Sequence, residues 1–196
     1  MMAGGADRTV VGIAGSLRRE SLNRALLRAA AALAPAGLEI VEHDLIDIPL
    51  FNQDVEERGD PPAVTGLKRA VAAADGVLIA TPEYQHGVPG VLKNALDWLS
   101  RPPRGSVLQG KPVAIMGASP GMTGTARAQA QLRQALVYNG CPVLPPPEVL
   151  VARAHEAFDD GGALADEATR GFVAGALERF AGWIAVFEDP PTRSDG

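Results

Sequence analysis

Residues 76–99 read GVLIATPEYQHGVPGVLKNALDWL. Val77, Leu78, Ile79 and Ala80 form a short run with no polar face, the pattern of a strand covered on both sides. The run stops at Thr81-Pro82, where proline fixes its own φ and pushes the preceding residue toward an extended conformation. Gly87 and Gly90 permit a sharp backbone path, Pro89 suits the start of a helix, and a helical pattern follows from Val91 to Leu99. A buried strand, an elaborate loop and a helix make one repeating unit of an α/β fold.

The same unit recurs along the chain. Val10 to Ala14 reads as a strand, and Leu22, Leu26, Ala29, Ala30 and Leu33 then recur at helical spacing up to Pro35-Ala36-Gly37. Leu38 to Val41 is a second strand. A long polar connection, IDIPLFNQDVEERGDPPAV, leads to a helix over 64–74. Beyond Gly76–Ala80 and its helix come a fourth strand over 112–116 and a helix over 125–138. A fifth strand lies near Val143 or at 149–151, and a last helix covers 164–187. Five strand–helix units in 196 residues fit a small three-layer doubly wound fold, a parallel sheet with helices on both faces. The expected organisation is one domain over 1–188 and a short tail, EDPPTRSDG, frayed over 189–196.

In such a sheet ligands sit beyond the carboxyl ends of the strands, where strand order reverses. Three loops reach that point. GSLRRESLNR, 15–24, carries Ser16, Ser21, Asn23, Arg18 and Arg19 ahead of a helix N-terminus, whose free N–H groups and dipole favour an anion. Ser21 also reads as a helix cap and the arginines as solvated surface. No G-x-G-x-x-G and no G-x-x-x-x-G-K-[ST] is present, so the loop suits a single terminal phosphate. TPEYQHGVPG offers backbone polar groups beside one aromatic, Tyr84, an array matched to a flat heterocycle. Glu83 has no carboxylate or histidine paired with it in sequence and reads as an exposed charge at the rim; His86 reads as a polar surface residue. MGASPGMTGTARAQ, 116–129, contributes the Ser119-Pro120-Gly121 turn, which can line the other side of the pocket.

Composition narrows the classes. A hydrophobic fraction of 46% indicates a globular chain, and a net charge of −5 argues against a nucleic-acid surface. The one cysteine, Cys141, excludes an internal disulfide and reads as a buried, inert thiol. No apolar stretch approaches the ~18 residues of a membrane span. The first residues lack a signal-peptide core, so a cytoplasmic protein is expected.

These three loops resemble those of the NAD(P)H-dependent FMN reductase family, with quinone and chromate reductase and azoreductase relatives. The resemblance implies a flavodoxin-like three-layer sandwich, a five-stranded parallel sheet of order 2-1-3-4-5 with helices on both faces. The family pattern G-S-x-R-x-x-S-x-N is matched by Gly15, Ser16, Arg18, Ser21 and Asn23. T-P-E-Y-N-x-x-x-P-G-x-L-K-N-A-[IL]-D-W is matched from Thr81 to Trp98, except that Gln85 stands where the family has Asn. S-P-G-x-x-G-x-x-R-A-Q-x-x-L-R is matched from Ser119 to Arg133. The resemblance implies FMN, with its phosphate on Ser16, Arg18, Ser21 and Asn23. Its ring system is then expected against Pro82, Glu83, Tyr84 and Gln85 and the turn of Ser119, Pro120 and Gly121. It further implies NADPH or NADH as hydride donor and quinones, flavins or similar small acceptors, with the chemistry carried by the cofactor and no catalytic side chain required. A homodimer or dimer-based homotetramer is expected from the family, and from the apolar residues Leu92, Trp98 and Leu99 on the helix after the second loop. A flavodoxin-like electron carrier with no small-molecule substrate is the competing class; carriers are usually more acidic and lack the TPEY loop in this form.

Overall fold

A computed structural model of the chain describes residues 8–188, so the tail expected over 189–196 lies outside the described residues. Five strands, β1 (Arg8–Ala14), β2 (Leu38–His43), β3 (Gly76–Ala80), β4 (Val113–Ala118) and β5 (Val149–Val151), form one sheet of order β2-β1-β3-β4-β5. Every neighbouring pair is parallel. The helices are α1 (Leu22–Ala32), α2 (Gln53–Glu56), α3 (Pro62–Ala73), α4 (Gly90–Leu99), α5 (Ala126–Tyr138), α6 (Ala154–Ala157) and α7 (Glu167–Glu188).

The inner strands β3 and β4 and the buried part of β1 are apolar because alternate residues enter two different cores, whereas the edge strand β2 carries Glu39, Glu42 and His43. Val10, Leu78, Ala114 and Met116 pack with α1 and α7 on one face. Val11, Ile13, Val77, Ile79, Val113 and Ile115 pack with α3, α4 and α5 on the other. Register sets Ala14 beside Ala80 and Ala80 beside Met116, so the loops leaving β1, β3 and β4 emerge side by side. The chain order 2-1-3 puts the reversal between β1 and β3.

Two sequence expectations change in detail. The fifth strand is the 149–151 segment, while Val143 makes only an isolated bridge to Val113. The apolar residues of α4 are covered within the chain: Leu92, Trp98 and Leu99 are fully buried. The connection after β2 folds back over them. Asn94 accepts from Phe51 N (2.8 Å) and donates to Pro49 O (2.8 Å), and Trp98 Nε1 donates to the same carbonyl (2.8 Å). Phe51 meets the Trp98 ring edge-on at 5.0 Å. This helix therefore offers no uncovered apolar face for a second subunit. Cys141 is buried, its Sγ donates to Leu108 O, and burial pushes its thiol up to about 12, as an inert core residue requires. Among the described residues no helix is long and apolar enough to cross a membrane.

Candidate functional site

The first loop begins where Gly15 N donates to Ala80 O (2.8 Å), tying the end of β1 to the end of β3. Ser16 is buried, with its hydroxyl 3.4 Å from Tyr84 OH; residues 17–20 are exposed. Ser21 is the N-cap of α1, accepting from Asn23 N and Arg24 N. Asn23 is buried and clasps one peptide of β4: its Nδ2 donates to Ala118 O and its Oδ1 accepts from Ala118 N, both at 2.9 Å. These two side chains therefore build the loop and join it to the fourth strand. What remains directed outward is Arg18, whose guanidinium pairs with no carboxylate among the described residues. The backbone amides of Leu17, Arg19 and Glu20 likewise find no acceptor there.

The second loop is fixed at both ends. Thr81 is fully buried, with its N–H on Met116 O and its hydroxyl on Pro82 O. Glu83, expected as an exposed rim charge, is instead tucked against α5 with its side chain only 9% exposed. Its carboxylate accepts from Arg127 N (2.9 Å), Ala128 N (3.1 Å) and Arg127 Nη1 (3.1 Å). Burial alone would raise its pKa, but the two amides and the guanidinium outweigh burial and hold it below the ordinary carboxylate value. Tyr84 and Gly87 then exchange backbone hydrogen bonds around Gln85 (φ 50°) and His86 (φ 60°). That is a two-residue turn with positive φ at both central positions, which Asn and Gly favour. Gln85 therefore holds a positive φ with a side chain less suited to it than Asn.

The third loop is a turn in which Ser119 Oγ accepts from Gly121 N (3.1 Å), and Ser119 N bonds to Val151 O (2.9 Å). Beneath it Gly117 passes against Thr125. A Cβ there would lie 1.8 Å from the Thr125 hydroxyl, so only glycine fits.

The three loops meet in one cleft of about 210 Å³. Ser16, Arg18, Ser21 and Asn23 line it from the first loop, Pro82, Glu83 and Tyr84 from the second, and Ser119 and Pro120 from the third. Gln85 and Gly121 lie outside the lining. Leu22 and Ala118 belong to it and were missed, because an apolar helix residue and a strand end carry no sequence signal for a ligand. A larger cavity of about 600 Å³ lies at the opposite end of β4, between Arg104, Gln109 and Tyr138, away from all three loops.

Residues 8–156 match the NADPH-dependent FMN reductase family. The chain belongs to that family. It is 47% identical over 178 residues to an NAD(P)H-dependent FMN reductase of Pseudomonas aeruginosa, covering 91% of this chain and 96% of the relative. It is 41% identical to a 2-hydroxy-1,4-benzoquinone reductase of a Burkholderia species, covering 88% and 93%. The solved structure of FerB, a flavoenzyme NAD(P)H:(acceptor) oxidoreductase from Paracoccus denitrificans, superposes with a TM-score of 0.84 at 38% identity, covering 91% and 97%. As a member of the FMN reductase family the chain is an NAD(P)H-dependent oxidoreductase whose cofactor is FMN. The donor set fits that group. The cleft offers the Arg18 guanidinium, unpaired among the described residues, just ahead of a helix, chemistry that suits a phosphate, and Pro82, Tyr84 and Pro120 wall it as well.

Proposed function

We propose that this chain reduces small quinone-type acceptors at the expense of NAD(P)H, with FMN held in the three-loop cleft. The supporting observation is that one cleft brings Arg18 and Ser16, suited to an anion, together with Pro82, Tyr84 and Pro120, suited to a flat ring system. FMN supplies the redox chemistry, taking hydride from the nicotinamide and delivering two electrons to the acceptor. The chain's own residues bind and orient. Arg18, Ser16 and the amides of 17–20 hold the phosphate, while Ser21 and Asn23 keep that loop in shape from within. Pro82, Glu83 and Tyr84 form one side of the ring site and Ser119 and Pro120 the other, with Gln85 and Gly121 adjoining them outside the lining. The names of the benzoquinone and quinone reductase relatives support the acceptor class.

The chain to residue 188 acts as one FMN-binding domain in a cytoplasmic homodimer or dimer-based homotetramer. Supporting association are exposed apolar residues on the three loops that form the cleft, Leu17, Tyr84 and Met122, which replace α4 as the candidate contact.

The test combines turnover and binding. The wild type should oxidise NAD(P)H when given a benzoquinone, which a pure electron carrier does not do. A charge-assisted bond to phosphate is worth about 1.5–3 kcal/mol, so Arg18→Ala should weaken FMN binding about ten- to a hundred-fold. Riboflavin, without the phosphate, should bind wild type and Arg18→Ala equally poorly, and Arg19→Ala should bind FMN as the wild type does. Equal FMN affinity in wild type and Arg18→Ala, read by flavin fluorescence quenching, would place the anion site elsewhere.

A further inference from the structure

We propose that Glu83 is a positioning residue of the FMN site: by capping α5 from the loop after β3, it fixes the Pro82–Tyr84 wall before the flavin arrives. The proposal rests on the FMN assignment above and adds a role for a side chain that the chemistry does not use.

Helix α5 has no local cap. Thr125 occupies its N-cap position and makes no side-chain bond to the first turn. The Thr125 hydroxyl is fully buried and accepts from Gln129 Nε2 (3.1 Å) instead. A helix start leaves several amides without partners, and here the Arg127 and Ala128 amides are met by Glu83, more than forty residues earlier in the chain. A second tie lies one turn along α5, where Gln131 Oε1 accepts from Val88 N at 2.7 Å. Arg127 and Gln131 share one helix face. Gly87 runs so close to it that a Cβ would lie 2.7 Å from Gln131 Oε1.

The segment between these ties contains the two positive-φ residues, Gln85 and His86. Such a backbone persists only where its surroundings hold it. Glu83 itself stands between Pro82 and Tyr84, which both line the cleft. Without the clasp the wall must be ordered when the flavin binds, and affinity falls by the cost of that ordering.

The closing experiment measures FMN and riboflavin affinity by fluorescence, and amide hydrogen exchange over 82–88 in the flavin-free full chain, for wild type, Glu83→Ala, Glu83→Gln and Gln131→Ala. Glu83→Ala should bind both flavins about tenfold more weakly, the ratio expected for loss of a strong cap. Both should weaken by the same factor, because the wall meets the ring and not the phosphate; Arg18→Ala, in contrast, discriminates between the two. Glu83→Gln keeps an oxygen for the two amides and should recover most of the loss. Gln131→Ala, at an exposed helix position, should shift both affinities in the same direction by a few-fold, and it decides the matter if Glu83→Ala does not fold. Exchange at 84–88 should accelerate in Glu83→Ala and Gln131→Ala. Wild-type affinity for both flavins in either alanine variant, or unchanged exchange over 82–88, overturns the proposal. A wild type that binds neither flavin would instead overturn the FMN assignment, and the exchange rates would then decide the clasp alone.

Discussion

Asn23→Ala separates two roles that the first-loop motif leaves confounded. As a phosphate ligand, Asn23 would matter only to the flavin-bound protein. The structure instead gives both ends of its amide to Ala118, in two 2.9 Å hydrogen bonds at a position 3% exposed. Alanine leaves a buried backbone N–H and a buried C=O without partners. Each such group is worth about 1–3 kcal/mol, so roughly 2–5 kcal/mol of stability should be lost. For a chain of this length each kcal/mol moves the midpoint by about 2–4 °C, giving a fall of roughly 5–15 °C in the flavin-free protein. Thermal unfolding of the apo-protein followed by circular dichroism reads this directly, with FMN titration alongside. An apo-midpoint within about 2 °C of wild type, together with a large loss of FMN affinity, would refute the clasp and return Asn23 to the phosphate.

Two further outcomes follow from the second loop. Because Glu83 is held below the ordinary carboxylate value, its contribution is complete above that value and disappears as pH falls through the lowered one. The stability gap between wild type and Glu83→Gln should therefore be constant at neutral pH and close in acid; a gap unchanged down to about pH 3 in urea titrations would contradict this. Gln85→Asn should raise the melting midpoint by one or two degrees, about 0.5 kcal/mol, since Asn adopts positive φ more readily than Gln. A lower midpoint would mean that Gln85 makes a contact that outweighs its backbone.

The inner strands were legible because strands covered on both faces leave no polar residue in their runs, and Val77 to Ala80 or Val10 to Ala14 admit little else. The weakest strand was ambiguous for a matching reason: Val143 and Val149 both flank the proline run, and only the pairing with β4 distinguishes a strand from a bridge. The four-residue helices α2 and α6 are too short to show a helical period. Position of the site followed from strand order, and nine of the eleven proposed residues do line one cleft. The partners of those residues were not legible. Glu83 finds its amides on another helix, Asn23 finds its peptide at the end of another strand, and Asn94 and Trp98 find theirs at Pro49. Each pairing spans dozens of residues, and no local pattern records it.

That distinction accounts for the polar positions of the first-loop motif. Ser21 and Asn23 have their hydrogen-bonding atoms satisfied inside the protein, and a buried polar group so satisfied has little left for a ligand. Arg18 and the exposed amides beside it have theirs unsatisfied among the described residues. Residues of both kinds occur together in this loop because the second kind depends on the first: Arg18 lines the cleft while Ser21 starts the helix and Asn23 ties the loop to β4. On this account the polar residues of the loop divide by whether their partners lie in the chain or in the ligand. By that division Ser21 and Asn23 hold the loop in shape, the proposed phosphate contact falls to Arg18, and Ser16 is buried with its hydroxyl 3.4 Å from Tyr84 OH, linking the first loop to the second.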